Sequence, residues 1–242
     1  IKVMLDGQGA DEMFAGYPVF RAAYLANLLH NAEFEKAIKL AVKLGNYELL
    51  RAVSFFLPKD FGEKLRMRRL GGAWLQKKWF EQNLLEPQRA CIKEKNGFLH
   101  DALQRSLVEA SIPALLRFND RNSMAASVES RVPFLTTEFV EAALSLPDNF
   151  LIGENGETKF AFRSAMKVVT PEEILSRNDK ISFQTPQTQW LAALEDWVTQ
   201  VEAGPWYSEL PLAKNWDDKA PHDFRWRVLN AARWMDIFQL QL

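Results

Sequence analysis

Apolar residues along this chain recur mostly at helical spacing, and the departures from that spacing mark the interesting segments. The first departure is at the start. Lys2-Val3-Met4-Leu5 is a short apolar run with β character that stops at Asp6-Gly7, and it predicts a buried strand. Asp6-Gly7-Gln8-Gly9 reads as a turn, and the residues from Ala10 to Tyr17 as a short helix ended by Gly16 and Pro18. Beyond that point the pattern is helical almost to the end. Residues 31–46 place Phe34, Ile38 and Val42 on one face, with Asn31 as N-cap and Gly45 as the stop. Further helices are predicted over 47–58, 73–85, 98–111 and 113–127, the last opened by Pro113, which suits a first helical turn. Helices over 138–146, 159–169, 170–175, 187–204 and 222–240 follow, with a small hairpin over 149–159 turning on Glu154-Asn155-Gly156-Glu157. Residues 176–186 show no periodicity. The expectation is therefore a mostly α chain with one short N-terminal strand. A lone strand leaves its backbone groups without ladder partners. The strand is thus expected to belong to a parallel sheet that this sequence lacks or contains only poorly.

Charge narrows the function classes. Lys plus Arg is 30 and Asp plus Glu is 31, a net charge of −1, so no bulk pull acts toward nucleic acid or anionic lipid. The basic stretch 63–70 interleaves its cations with apolar residues and does not read as a nucleic-acid patch. Cys91 is the only cysteine, which rules out an intrachain disulfide and fits a reducing, cytoplasmic setting. No apolar run approaches the roughly 18 residues that span a membrane, and the opening apolar run is too short for a signal peptide. His30, His100 and His222 are too scattered to form a metal cluster. The many phenylalanines and tryptophans fall at helical spacing and are expected to be core.

Three features could carry chemistry. The opening turn puts Gly7 and Gly9, which permit close backbone approach and positive φ, just before a helix start with its free N–H groups. Asp11 and Glu12 suit the first turn of that helix and would also suit a Mg²⁺ ion arriving with a phosphate. An ordinary strand–turn–helix corner with acidic capping explains the same residues. The second feature, Leu115 to Leu135, holds Arg117, Asp120, Arg121, Glu129 and Arg131, with Glu129 and Arg131 flanking a stretch that reads as buried. Buried charge pairs are costly unless structure or function requires them, and a structural ion-pair network accounts for this one equally. The third is Lys180, between Asp179 and the apolar Ile181 and Phe183. A lysine reaching into a closed site can neutralise developing negative charge, although most lysines simply face solvent.

The order LDGQGADEMFAGY, then LLRFNDRNSMAASVESRVPFL, then GETKFAFRSAMKVVTPEEILSRNDKISFQTP resembles the synthetase domain of the glutamine-hydrolysing asparagine synthetase family. The motif-bearing likeness covers residues 1–20 and 113–190. It implies the helical C-terminal portion of an α/β adenine-nucleotide alpha hydrolase-like synthetase domain, across 1–242. It also implies ATP and Mg²⁺ as cofactors, aspartate or a related carboxylate as substrate, and ammonia from a glutaminase domain upstream. Neither nucleic acid nor membrane is implied, and a homodimer is among the assemblies allowed. By position, the resemblance makes Asp6, Gly7 and Gly9 the nucleotide-contacting turn, and Gln8 the residue influencing the acyl-adenylate. Asp11 becomes the Mg²⁺-pyrophosphate carboxylate with Glu12 beside it, Lys180 the charge-stabilising lysine, and Arg121, Glu129 and Arg131 the supporting core.

Two departures stand out. Many members read Ser-Gly-Glu-Gly at the turn, where this chain has Asp6-Gly7-Gln8-Gly9, and an amide cannot act as a base. After Pro133-Phe134-Leu135 the family commonly has Asp, and Thr136 is an equivalent cap. The family's Ser-Gly-Gly-x-Asp-Ser phosphate loop and its N-terminal cysteine nucleophile do not occur in the 242 residues. The resemblance therefore implies a C-terminal fragment that is inactive alone. Amide formation on another substrate, and a decayed helical interaction module, are the rival readings.

Overall fold

The computed structural model describes residues 1–56, 75–76, 78–79, 82, 97–177, 185–217 and 224–240. The helix expected over 73–85 lies mostly outside them. The described residues divide into two compact units, one holding 1–56 and 97–177, the other 75–76, 78–79, 82, 185–217 and 224–240.

In the first unit, β1 (Val3–Leu5) leads through the turn into α1 (Ala10–Met13). Then come α2 (Pro18–His30), α3 (Phe34–Leu44), α4 (Asn46–Ser54), α5 (Phe98–Arg105) with a π-helical turn over Ser106–Ala110, and α6 (Ile112–Ala125). β2 (Glu129–Arg131), a 3-10 turn at Pro133–Leu135, α7 (Thr137–Leu144), α8 (Asp148–Leu151), α9 (Phe160–Met166) and α10 (Glu172–Leu175) complete it. The middle of α2 is buried almost all round, from Phe20 through Ala22–Leu28, as expected of a helix that others wrap. Met13, Leu40, Leu99, Leu103, Leu151 and Ile152 pack around it, each 0–1% exposed.

Three expectations about the elements of this unit are corrected by the structure. First, β1 is not the only strand: it pairs in parallel with β2, in register Val3↔Glu129, Met4↔Ser130 and Leu5↔Arg131, so the parallel sheet is present in the poor form the sequence allowed. Nor is it buried. Val3, Met4 and Leu5 are 40%, 52% and 74% exposed, because one ladder partner covers an edge and leaves the faces of a two-stranded ribbon to solvent. Second, α3 buries Ala37 and Leu40, not Phe34, Ile38 and Val42, which are 59–80% exposed. The small Ala37 side chain lets the α3 backbone approach the core on a neighbouring face. Asn31 ends α2 instead of starting α3, whose N-cap position is Glu33. Third, the hairpin over 149–159 is smaller than expected. α8 occupies its first limb, and one antiparallel bridge, Ile152↔Thr158, closes it.

The second unit contains α11 (Gln187–Ala193), α12 (Glu195–Glu202), α13 (Pro205–Glu209) and α14 (Phe224–Phe238). The single helix expected over 187–204 is two, broken at Leu194. Val198, Val201, Leu229 and Ala232 form one core cluster, with Trp197 against it and the Trp226 ring tilted over Trp197 at 6.0 Å, and Trp216 and Val228 form another. No helix among the described residues is long and apolar enough to cross a membrane.

Candidate active site

The strand–turn–helix corner at residues 3–13 is built on residues 129–135, more than a hundred positions along the chain. The ladder continues past the last paired residue: the Asp6 N–H donates to the Arg131 carbonyl at 2.8 Å, and the Glu129 N–H to the Lys2 carbonyl at 2.8 Å. Gly9 has φ +100°, a conformation that L side chains rarely adopt. An added Cβ there would also lie 2.9 Å from Leu135 Cγ. Gly9 is therefore glycine for two reasons, a left-handed turn and the seat it makes for Leu135. Gly7 is exposed and Gln8 and Asp6 half-buried. Beneath the corner four phenylalanines from distant segments meet. Phe14 packs on Phe139 and Phe162 at 5.8 and 5.1 Å, and Phe134 lies 5.5 Å from both Phe139 and Phe162. Edge-on and tilted rings at such spacings are favourable beyond the area they bury.

The two acidic residues of α1 face opposite ways. Asp11 turns outward, its side chain 31% exposed, and its Oδ1 lies 2.9 Å from Lys159 Nζ. Lys159 is itself in the left-handed region, at φ 57°. Its N–H donates to the Phe14 carbonyl at 2.9 Å, which pins the backbone that delivers the ammonium. The pair passes across Gly16, where an added Cβ would stand 2.6 Å from Lys159 Cε and 2.7 Å from Asp11 Cγ. Glu12 turns inward and is 1% exposed. Its Oε1 accepts from the Tyr17 hydroxyl at 2.8 Å and the Ser111 hydroxyl at 2.7 Å. Burial, and next the hydrogen bond to Glu12, push the Tyr17 phenol far above the ordinary tyrosine range, so it stays protonated and donates.

The side chains of the other described candidates do not line this corner. Arg117, Asp120 and Arg121 are exposed on α6. Glu129 and Arg131, expected beside a buried stretch, are 53% and 62% exposed at their side chains and pair with each other at 2.8 Å. They lie two apart on a strand, hence on one face, and that face is in solvent. What β2 gives the turn is backbone, not these charges. Lys180 lies outside the described residues. Lys159, Tyr17, Ser111 and Leu135 were not singled out by the sequence, although all but Ser111 lie inside the quoted motifs.

A Mg²⁺ ion takes one or two carboxylates together with phosphate and water oxygens. Asp11, partly exposed, fits as one such carboxylate; Glu12, saturated by two hydroxyls at one oxygen and enclosed, faces away. Among the described residues no group of three or more His, Cys, Asp or Glu could hold an ion alone. Asp11 thus suits an ion that arrives with phosphate.

The chain is 28% identical over 227 residues to asparagine synthetase [glutamine-hydrolyzing] 1 of Bacillus subtilis, which covers 83% of this chain and 33% of that protein. It is 29% identical over 214 residues to a putative asparagine synthetase [glutamine-hydrolyzing] of Mycobacterium tuberculosis H37Rv, covering 81% and 31%. Amidase chyE of Penicillium rubens is 25% identical over 222 residues, covering 78% and 33%. The chain thus spans about a third of the length of the curated relatives it matches. No solved structure matches it. The asparagine synthase family model matches residues 1–218, which include both strands, the turn, the Asp11–Lys159 pair and the Lys180 segment, and the chain belongs to that family.

Proposed function

We propose that this chain supplies one wall of the ATP site of a cytoplasmic amide-forming synthetase that converts aspartate to asparagine. The observation that supports this reading most directly is the corner itself: a glycine turn locked by a parallel strand pair, with Asp11 turned outward from a helix whose other three residues are buried. In the proposed reaction a carboxylate oxygen attacks the α-phosphorus of ATP and pyrophosphate leaves. Ammonia from a glutaminase domain then attacks the acyl carbon, AMP departs with the C–O bond electrons, and the nitrogen loses a proton. When bound, Mg²⁺ supplies charge neutralisation for the pyrophosphate. The Asp6-Gly7-Gln8-Gly9 turn brings backbone close to the nucleotide. Asp11 holds the metal side of the phosphates, and Lys159 balances Asp11 when no cation is there. Lys180 stabilises negative charge on the reacting intermediate.

Gln8 supports a second reading within the same chemistry, amide formation on a carboxylate other than aspartate. Its side chain can donate and accept hydrogen bonds but cannot carry charge or remove a proton. On either reading the 242 residues alone do not turn over ATP, because no Ser-Gly-Gly-x-Asp-Ser phosphate loop occurs in them.

The test is pyrophosphate release by the full-length protein with ATP, Mg²⁺ and a panel of carboxylates. Aspartate-dependent release, abolished by Lys180→Ala with folding retained, is the expected result. Release driven better by another carboxylate selects the second reading. Undiminished release in Lys180→Ala refutes the assignment of that lysine, and the same turnover by the isolated chain refutes the division of the site.

A further inference from the structure

The geometry points to Tyr17 and Ser111 as positioning residues that act through Glu12 to aim the Asp11 carboxylate. This rests on the reading of Asp11 as an ATP-site carboxylate.

A helix of one turn has no stability of its own, since nucleation fixes several residues for very few hydrogen bonds. α1 closes three, from the Met13 N–H to the Gly9 carbonyl at 3.0 Å, the Phe14 N–H to the Ala10 carbonyl at 3.1 Å and the Gly16 N–H to the Asp11 carbonyl at 2.7 Å, all of them along the axis. What holds its rotation is therefore the side chains beneath it. Ala10, Glu12 and Met13 are 9%, 1% and 0% exposed. Ala10 and Met13 are apolar and fix depth without fixing direction. Glu12 is the directional contact, because hydrogen bonds weaken steeply off their axis. Consecutive residues of a helix project about 100° apart, so the rotation that satisfies Glu12 also sets where Asp11 points.

Three elements converge on the Glu12 oxygen. Tyr17 stands at the N-cap of α2 and Ser111 at the N-cap of α6, and each donates its hydroxyl to Oε1. A buried carboxylate is a costly choice for this place: an apolar side chain of similar volume would serve stability as well or better. The carboxylate adds an orientation shared by α1, α2 and α6. Groups that orient a metal-binding carboxylate typically tune affinity, and here Tyr17 and Ser111 do so at one remove, through Glu12.

The test uses the full-length protein and compares Tyr17→Phe/Ser111→Ala, Ser111→Thr and Asp11→Asn with the wild type. Mn²⁺ is the probe, titrated in the presence of pyrophosphate and followed by water-proton relaxation. The Mg²⁺ dependence of pyrophosphate release is measured in parallel. The double variant is expected to bind Mn²⁺ about 10–100-fold more weakly and to need correspondingly more Mg²⁺, with the KM for the carboxylate substrate little changed. Ser111→Thr, which keeps the hydroxyl, is expected to remain near wild type. A double variant with wild-type Mn²⁺ binding, while Asp11→Asn binds weakly, overturns the positioning role and leaves the Asp11 reading intact. Wild-type Mn²⁺ binding by Asp11→Asn overturns both. A double variant that loses Mn²⁺ binding and carboxylate KM together is responding to general damage, and that too overturns the inference.

Discussion

Gly9→Ala tests the idea that the opening turn is shaped against Leu135. Two separate costs are expected. At φ +100° an alanine sits in the left-handed region, which costs roughly 1–2 kcal/mol for an L residue. Its Cβ would also stand 2.9 Å from Leu135 Cγ, with the Cδ2 methyl closer still, against about 3.5–4.0 Å for a comfortable carbon contact. Leu135 is half-buried and sits beside Phe134 of the aromatic cluster, so it cannot swing away freely, and overpacking of this kind costs about 1–3 kcal/mol. The expected loss is about 2–5 kcal/mol in total. The assay is urea denaturation of the chain, read by far-UV circular dichroism and by tryptophan emission. The two signals divide usefully: all eight tryptophans fall within the sequence ranges of the second unit, while Gly9 and Leu135 belong to the first. The loss should therefore appear in the circular dichroism transition of the first unit, with tryptophan emission as the reference for the second. Leu135→Ala in the Gly9→Ala background should recover the packing part only. The double-mutant cycle should then show a coupling of about 1–2 kcal/mol. A Gly9→Ala variant within about 0.5 kcal/mol of wild type, or a cycle with no coupling, refutes the account of this turn.

Further outcomes follow from the same geometry. His100 Nδ1 lies 3.0 Å from Asp148 Oδ1 and its Nε2 3.1 Å from the Leu146 carbonyl, so both ring nitrogens meet acceptors and the doubly protonated ring is favoured. The Asp148 hydrogen bond raises the imidazole pKa despite the opposing effect of burial. The stabilisation is therefore complete below the unfolded value of about 6.5 and is lost as pH rises through the higher folded value. Unfolding midpoints between about pH 5 and 8 should show this decline in wild type and not in His100→Gln. Lys159→Ala removes a partly exposed ion pair worth at most about 1 kcal/mol. The melting temperature should barely move while pyrophosphate release by the full-length protein falls, and an unchanged rate refutes a role at the site. Glu129→Ala should leave the urea midpoint unchanged, since its exposed side chain meets only Arg131 and the turn is held by backbone; a shifted midpoint contradicts that. Phe20→Ala, at a side chain 2% exposed in the middle of α2, should cost about 3–5 kcal/mol in the same assay.

The corner was legible because its residues are punctuation. Glycines at 7, 9 and 16, Asp6 and Pro18 mark a turn and a short helix on local grounds alone. Its partner strand was not legible. Glu129-Ser130-Arg131 contains no β-branched or aromatic residue, and it is extended because β1 is there to pair with it, a tertiary override of propensity. The opposite directions of Asp11 and Glu12 were equally hidden. Both suit a helix N-terminus, and only the contacts of Tyr17, Ser111 and Lys159 decide which faces out. Lys159 carried no distinguishing signal in a polar stretch, because its role depends on a left-handed backbone angle that a lysine does not advertise. On α3 the periodicity found a helix but chose the wrong face, since Ala37 gains its burial from backbone proximity and not from its own hydrophobicity.

The pairing also explains how two segments so far apart in sequence act together. Parallel strands cannot be joined by a tight turn and need a long crossover; here α2 to α6 and residues 57–96 intervene between β1 and β2. Once the crossover is made, several residues of the second segment have a task in the first. Glu129 and Arg131 lend N–H and carbonyl to the ladder, Phe134 lies 3.9 Å from where a Gly7 Cβ would be, and Leu135 fills the space above Gly9. The VESRVPFL segment is thus a mould for the turn, and its charges are incidental to that task. Gln8 stands half-buried between the two moulded glycines, and the ladder and the Leu135 seat act on the residues beside it. At this position, one of those where the chain departs from the pattern it resembles, a substitution can alter chemistry without altering the corner.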